Sequence, residues 1–155
     1  MKNQSLLFLG IFLSSFFTIS KAQNKIGTEG TIVTRMIESK ALHNTGGENP
    51  NRRISVYLPP QYEQANKRFP VIYYLHGFMG NDSINPAMKM ILDKGISSNK
   101  IRPYILVIAD NFTLFEGSFY SNSTLTGNWD EFTSKELVEY MDKISKQLPI
   151  KTAEE

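Results

Sequence analysis

The sequence predicts an α/β fold with a mostly parallel sheet, an antiparallel edge and helices on the faces of the sheet. Residues 71–75 and 104–109 are continuous apolar runs, which are typical of parallel strands buried on both faces. A stretch with helical spacing separates these runs, and two alternating segments precede them. The resulting order of strand, strand, strand, helix, strand and helix is that of the α/β class.

The two alternating segments predict the antiparallel edge. Residues 30–37 are β-branched and roughly alternating, and residues 53–58 place Ile54, Val56 and Leu58 on one face. Pro59 and Pro60 end the second strand because neither can donate to a ladder. We expect the two strands to pair at an edge of the sheet.

Two helices are predicted after the third strand. Asn85 can cap the first helix and Pro86 suits its first position, with Gly95 either ending or interrupting it. Its apolar face is predicted to contain Met88, Ile91 and Leu92. The second helix begins near Trp129 and ends before Pro149. Its apolar stripe consists of Leu137, Met141, Ile144 and Leu148.

Composition excludes several classes of function. The chain has 155 residues, 17 Lys and Arg against 15 Asp and Glu, and no Cys. A near-neutral chain has no electrostatic footprint for nucleic acid. The absence of Cys excludes disulfides, Cys nucleophiles and thiolate-zinc sites. With His43 and His76 as its two histidines, the chain offers no His-rich metal site, and we expect no metal and no organic cofactor.

Residues 1–22 are predicted to be a signal peptide. Lys2 supplies a positive n-region, residues 6–19 are mostly apolar, and residues 20–22 read Ser-Lys-Ala, a small-x-small cleavage site. A transmembrane anchor is the alternative, but the apolar run is shorter than the ~20 residues that cross a bilayer. We therefore expect cleavage before Gln23 and an exported protein, periplasmic or secreted, without a stable membrane anchor.

The chemical signal lies in residues 75–80, Leu-His-Gly-Phe-Met-Gly. They follow an apolar strand, and ligands of open α/β sheets bind beyond the carboxyl ends of strands. Gly77 lets the backbone approach a substrate, and the following N–H groups can point at an oxyanion. The alternative is a tight turn in which His76 is hydrogen-bonded structurally, and these six residues alone favour that alternative.

The surrounding sequence changes this balance. Residues 56–62 (VYLPPQY), 68–77 (RFPVIYYLHG) and 117–123 (GSFYSNS), with 126–129 (TGNW) and 136–137 (EL), resemble the Putative esterase family of α/β-hydrolases. That family includes feruloyl esterases, S-formylglutathione hydrolases, enterochelin esterases and the antigen 85 mycolyltransferases. The resemblance extends over about residues 31–151 and implies the N-terminal half of an α/β-hydrolase fold.

The resemblance also implies roles for individual residues. The backbone N–H of Phe78 becomes a donor of the oxyanion hole, with His76 and Gly77 shaping the turn. The long loop after the fourth strand offers Tyr120 and Trp129 as candidates for the wall of a substrate cleft. For these two aromatic residues, core packing under the loop is the alternative, and the residues favour it at least as much.

The sequence departs from the family at the nucleophile. The catalytic serine of the family sits in a G-x-S-x-G elbow, and the sequence contains no such motif. The acid and the histidine follow the serine in α/β-hydrolases, so neither histidine of this chain matches the base. Asp110 precedes any such serine and is interpreted as structural. We therefore expect residues 23–155 to be a partial esterase domain, truncated before the elbow, whose catalytic Ser, acid and His lie beyond Glu155.

These observations and the resemblance predict the N-terminal part of an exported serine esterase. The resemblance implies carbohydrate-linked or feruloyl-type esters as its substrates. Two alternatives stay open. One is acyl transfer to a sugar by the same residues, and the other is a non-catalytic binding module or pseudo-enzyme with the same half fold.

Overall fold

A computed structural model of the chain describes residues 27–63, 65 and 68–145. The predicted signal peptide, its cleavage site and the end of the last predicted helix lie outside the described residues. Every helix within these ranges is too short or too polar to cross a membrane.

Four strands form the main sheet. They are β1 (Thr31–Glu38), β2 (Asn51–Leu58), β3 (Val71–Tyr73) and β4 (Ile105–Ala109), in the spatial order β1-β2-β4-β3. The predicted antiparallel pairing of the first two strands is confirmed, with Thr31 opposite Leu58 and Glu38 opposite Asn51. A two-stranded ribbon, β5 (Asn122–Ser123) and β6 (Gly127–Asn128), lies inside the region predicted as a loop.

The expectation of a mostly parallel sheet is not confirmed in the described chain. β2 pairs with both β1 and β4 in antiparallel fashion, and the parallel pairing is that of β3 with β4. Only this pair is joined by a helical crossover, the connection that parallel neighbours require. The sheet is therefore mixed, and its parallel part carries the turn singled out in the sequence.

Helix α1 (Pro86–Ser97) begins as predicted. The Asn85 side chain accepts a hydrogen bond from the Met88 N–H at 2.9 Å, and Pro86 occupies the first turn. Gly95 lies within the helix and does not end it. Ile91 is 63% exposed, so its predicted place on the buried face is wrong. The buried face follows i, i+4 spacing through half-buried Met88 to buried Leu92 and Ile96.

The last helical region is interrupted. A short helix α2 (Trp129–Glu131) passes into a π-helical turn (Phe132–Glu136) and then into α3 (Leu137–Ile144). Leu137 and Met141 are buried and Ile144 packs against the core, as the predicted stripe requires. The π turn ends at Glu136, whose carboxylate accepts hydrogen bonds from the backbone N–H groups of Lys40 and Ala41 at 3.0 Å.

The core lies on both faces of the sheet. On one face, Ile54, Val56 and Leu58 of β2 join alternate residues of β4 and pack against Trp129, Phe132, Leu137 and Met141. On the other face, Tyr57 joins Leu106 and Ile108 and packs against Ile84, Leu92 and Ile96. The predicted placement of helices on the faces is therefore observed.

The two apolar runs differ in how far they are buried. Every residue of β4 is buried, as predicted. The expectation that residues 71–75 are buried on both faces is wrong, since Ile72, Tyr74 and Leu75 are 44%, 48% and 51% exposed. The reason is position, because β3 is at the end of the strand order and has a neighbour on one side within the described chain.

Candidate functional site

The candidate site is built on the carboxyl ends of β3 and β4. These strands are parallel neighbours, so their carboxyl ends lie at the same edge of the sheet. Residues 76–80 follow β3 and are called the oxyanion turn below, after the role that the sequence analysis predicts for them. Residues 110–121, called the β4 loop, follow β4. The two segments meet there and bind each other through both backbone and side chains.

The oxyanion turn closes on the carbonyl of Gly77. This oxygen accepts a hydrogen bond from the Gly80 N–H at 3.0 Å and lies 3.0 Å from Nδ1 of His76. Met79 has a φ of +59°, a left-handed conformation that non-glycine residues seldom adopt. A Cβ on Gly80 would lie 2.9 Å from both the Gly77 oxygen and Nδ1 of His76. Glycine at position 80 therefore lets the turn fold tightly over the imidazole ring.

The direction of the Phe78 N–H follows from this carbonyl. The Gly77 oxygen and the Phe78 N–H belong to one planar trans peptide and point in opposite directions. Since the oxygen is held inside the turn, the N–H points out of it. Within the described chain this N–H makes no hydrogen bond. The structure therefore leaves unpaired the backbone donor that the sequence singled out.

The β4 loop holds the other groups of the turn. The backbone N–H of Asn111 donates to Nε2 of buried His76 at 3.1 Å, the hydroxyl of Tyr120 donates to the His76 carbonyl at 2.7 Å, and the N–H of Met79 donates to the Glu116 carbonyl at 3.0 Å. Because Nε2 accepts from a backbone N–H, the ring proton lies on Nδ1, which donates to Gly77. Both ring nitrogens of His76 are thus used by the backbone, and the ring has no nitrogen left to act as a catalytic base.

Aromatic rings cover the outside of the turn. Phe78 and Phe119 stack with ring centroids 5.8 Å apart and an interplanar angle of 27°. Both rings are more than half exposed, as are the neighbouring side chains of Leu114 and Phe115. An exposed apolar surface of this kind marks a binding surface more often than a structural one.

Behind the turn, Asp82 is tied to the second strand. The Arg53 guanidinium donates to both carboxylate oxygens of Asp82 at 2.7–3.0 Å, and the Ser55 hydroxyl donates at 2.9 Å. The hydrogen bond and the charge of Asp82 raise the pKa of Arg53 above its usual value. Bidentate pairing of this kind sets both the orientation and the distance of the two side chains. Arg53 of β2 therefore fixes the position of Asp82 and of the segment that follows the turn.

A second anchor from β2 holds the β4 loop. Buried Arg52 pairs with Glu48, donates to the Phe112 carbonyl at 2.9 Å and lies 4.6 Å from the centroid of the Trp129 ring. The second carboxylate oxygen of Glu48 accepts from the Leu114 N–H at 3.0 Å. The loop is therefore supported both by this ion pair and by its contacts with residues 76–80.

The remaining sequence candidates occupy different places. Trp129 is fully buried in the core and donates from Nε1 to the Thr126 hydroxyl at 3.1 Å, so its side chain packs under the loop. Tyr120 lies beside the turn, with its ring 6.1 Å from the His76 ring. The carboxylate of Asp110 accepts from the Phe112 N–H at 3.1 Å and shapes the start of the β4 loop. Among the described residues, no group of three His, Asp or Glu side chains is arranged to hold a metal ion.

Several residues of the site escaped the sequence analysis. Asn111, Glu116 and Phe119 contact the turn from the β4 loop, and Arg53 and Asp82 support it from behind. Asp82 stands two residues beyond Gly80, but an acid needs a partner only when it is buried, and the sequence does not show that burial. Nothing in the spacing of Arg53, which lies 29 residues upstream, indicates that it is that partner.

The comparisons with known proteins concern the family and the fold of the chain. Residues 47–153 match the family described as Putative esterase, while a search of curated proteins found no match. Among solved structures, a ferulic acid esterase has a TM-score of 0.60 at 24% identity, covering 76% of this chain and 45% of that chain. A ferulic acid esterase from Anaeromyces mucronatus, in complex with ferulic acid, has a TM-score of 0.53 at 18% identity, with coverages of 78% and 45%.

An S-formylglutathione hydrolase from Agrobacterium tumefaciens also matches, with a TM-score of 0.53 at 15% identity and coverages of 76% and 45%. At these identities the likeness shows the fold, which is that of α/β-hydrolase-type esterases. The chain spans 45% of the length of each of these three structures.

Proposed function

Because the chain belongs to the Putative esterase family, we propose that it supplies the oxyanion-hole part of an exported serine esterase that hydrolyses carboxylic esters. One observation carries the proposal. The Phe78 N–H is unpaired within the described chain, and its direction is set by the carbonyl of the same peptide. A donor aimed in advance at the place where negative charge develops is what stabilises an acyl-transfer transition state.

The reaction needs a nucleophile that the proposal places beyond Glu155, together with its histidine and acid. The serine hydroxyl would attack the ester carbonyl while the histidine takes its proton, forming a tetrahedral oxyanion held by the Phe78 N–H. The alcohol then leaves with that proton, and water cleaves the acyl-enzyme to release the acid. The residue after the serine is the expected second donor in this superfamily. No step calls for a metal or an organic cofactor.

The acyl group is proposed to be flat and apolar, as in a feruloyl-type or other carbohydrate-linked ester. The support is the exposed stack of Phe78 on Phe119, which stands next to the Phe78 N–H. Offset aromatic stacking adds about 0.5–1.5 kcal/mol beyond area burial. An aromatic acyl chain on this stack would keep its carbonyl within reach of the turn.

Two measurements test the proposal. The coding sequence downstream of Glu155 should contain an in-frame G-x-S-x-G, and the full gene product should hydrolyse p-nitrophenyl esters. Residues 23–155 alone should show neither hydrolysis nor labelling by a serine-directed phosphonate. Saturable labelling of a serine within residues 23–155 would overturn the assignment of the nucleophile. A stop codon directly after Glu155 would favour a non-catalytic binding module, and transfer of the acyl group to a sugar instead of water would make the protein an acyltransferase.

Export is a separate part of the proposal. We expect the mature protein to begin at Gln23 and to be recovered from the periplasm or the medium. Intact mass of the recovered protein checks the cleavage site. A full-length species retained in the membrane would contradict it.

A further inference from the structure

Tyr120 makes an unusual contact for a residue beside an apolar surface. Its hydroxyl donates to the backbone carbonyl of His76 at 2.7 Å, across 44 residues of sequence. Burial raises the pKa of this hydroxyl, although a hydrogen bond with the Asn111 side chain acts in the opposite direction. The hydroxyl therefore stays protonated and remains a donor. It donates its hydrogen bond to the backbone of the oxyanion turn and not to solvent.

The backbone around Tyr120 is strained. Phe119 and Tyr120 have φ values of +52° and +53°, and two consecutive left-handed non-glycine residues are unfavourable. Strain of this kind persists where the surrounding contacts enforce it, and it concentrates at functional sites. Here it places the Phe119 ring on Phe78 and the Tyr120 hydroxyl on His76 at the same time.

A chain of contacts connects Tyr120 to the Phe78 N–H. The hydroxyl holds the His76 carbonyl, and the Asn111 N–H holds the His76 ring. That ring in turn donates to the Gly77 carbonyl, whose peptide carries the Phe78 N–H. Because each peptide is planar, fixing the His76 and Gly77 oxygens removes the freedom of the peptide between Gly77 and Phe78 to rotate.

We propose that Tyr120 is a positioning residue of the oxyanion hole, whose hydroxyl holds the turn so that the Phe78 N–H faces the ester carbonyl. The inference rests on the proposed function, because the direction of this N–H matters only if a carbonyl binds there. It assigns Tyr120 to orienting the donor and not to a wall that contacts the acyl group.

The test compares Tyr120→Phe with Tyr140→Phe in the full gene product. Both substitutions remove one hydroxyl and keep the ring, and Tyr140 is a partly buried residue of α3 packed on the core. Deleting an oxyanion donor outright lowers kcat by about 10²–10³, so a donor that is only misaligned should lose about tenfold. We expect Tyr120→Phe to lower kcat by this factor with KM unchanged, and Tyr140→Phe to change neither. A rise in KM with kcat unchanged would overturn the proposal in favour of a cleft wall.

An NMR measurement tests the same proposal without depending on ester hydrolysis. In 15N-labelled protein, Tyr120→Phe should shift the Phe78 amide and the His76 ring nitrogens while the melting temperature stays that of the Tyr140→Phe control. Unchanged signals would overturn the proposal. If the gene product hydrolyses no ester, the proposed function fails, and these signals still decide whether Tyr120 positions the turn.

The unmutated protein provides a measurement should Tyr120→Phe fail to fold. The isotope shift of Tyr120 Cζ in mixed H2O and D2O reports whether the hydroxyl proton exchanges slowly, as a bonded proton does. A freely exchanging hydroxyl, or a His76 ring that carries its proton on Nε2, would overturn the proposal.

Discussion

At the scale of single residues, the site depends on Asp82, a carboxylate that is 1% exposed. Its charge is balanced by Arg53, whose own side chain is 53% exposed. The charge that remains after one partner is removed is therefore solvated in one case and buried in the other. Arg53 can be solvated after loss of Asp82, whereas Asp82 would remain buried with the Ser55 hydroxyl as its other side-chain donor.

This asymmetry predicts that Arg53→Gln destabilises the protein more than Asp82→Asn. Removing one partner of a buried charge costs about 3–5 kcal/mol because it leaves that charge uncompensated. Loss of a hydrogen-bonded partner that water can replace costs about 1 kcal/mol. The free energy of unfolding in urea measures both. Lys135→Gln, in the exposed pair with Glu131, should change it by less than about 1 kcal/mol, and equal losses for Arg53→Gln and Asp82→Asn would contradict the prediction.

Two tyrosines predict a loss of stability at alkaline pH. Burial raises the pKa of Tyr73 to about 12. It also raises the pKa of Tyr57 well above its usual value, with help from the hydrogen bond to Asp93. Above about pH 10 the unfolded chain loses phenolic protons that the folded chain keeps, so stability falls as pH rises further.

We expect the melting temperature to fall as the pH rises above about 10. The fall should continue until the pH reaches the pKa values of these tyrosines in the folded chain. Tyr73→Phe removes one of the phenols whose pKa is raised in the folded chain and should make this fall shallower. A Tyr73→Phe variant with the same alkaline slope as the unmutated protein would show that Tyr73 is not one of the groups responsible.

At the scale of elements, α1 contains a glycine that packing requires. Glycine inside a helix usually costs about 0.5–1 kcal/mol relative to alanine. A Cβ at position 95 would nevertheless lie 2.4 Å from Cδ1 and 2.9 Å from Cγ1 of Ile101. The residue that the sequence marked as a stop or an interruption is thus a point of close contact between the helix and the chain that follows it.

Gly95→Ala is therefore expected to destabilise the protein by about 1–2 kcal/mol, since overpacking costs about 1–3 kcal/mol. Ile101→Val removes Cδ1 and should make Gly95→Ala less costly, so the double variant should be more stable than Gly95→Ala alone. The urea midpoints of the three variants test this. A gain in stability for Gly95→Ala alone would show that Ile101 moves freely.

The elements that the sequence predicted are those whose signals are local. The Asn85 cap, the apolar run of β4 and the stripe through Leu137 and Met141 each depend on neighbouring residues. The exposure of Ile72 and the antiparallel pairing of β2 with β4 depend on which strands become neighbours in space. Spacing along the chain does not encode that choice.

The same division applies to the candidate site. The turn around Gly77 carries its own signal in two glycines that follow an apolar strand. Asn111 and Glu116 bind it through backbone atoms. Most residue types can make such backbone contacts, so the contacts leave no recognisable pattern in a single sequence.

At the scale of the whole molecule, β3 is an unprotected edge among the described residues, since β4 is its one neighbour there. Ile72, Tyr74 and Leu75 are each more than 40% exposed, and residues 71–75 contain no charged residue and no Pro. Natural edge strands carry such features because they prevent pairing with other chains. Uncharged segments of high β-propensity also favour strand association.

We therefore predict that residues 23–155 expressed alone aggregate or fold only in part, while a longer chain that includes the nucleophile elbow is soluble. Ile72→Lys places a charge on the exposed edge and should reduce the light scattering of the short chain. A monomeric short chain with a cooperative melt and slow amide exchange across residues 71–75 would contradict both the prediction and the proposed truncation.

Strand β2 has a consequence for the order of folding. Its antiparallel partner β1 is next to it in sequence, whereas its contacts Arg53–Asp82 and Arg52–Phe112 span 29 and 60 residues. Loop-closure entropy grows with the length of chain enclosed, so the β1–β2 hairpin is the cheapest nucleus, and the turn and the β4 loop dock on it afterwards. In native-state exchange, the amides of the two docked segments should open before those of the hairpin.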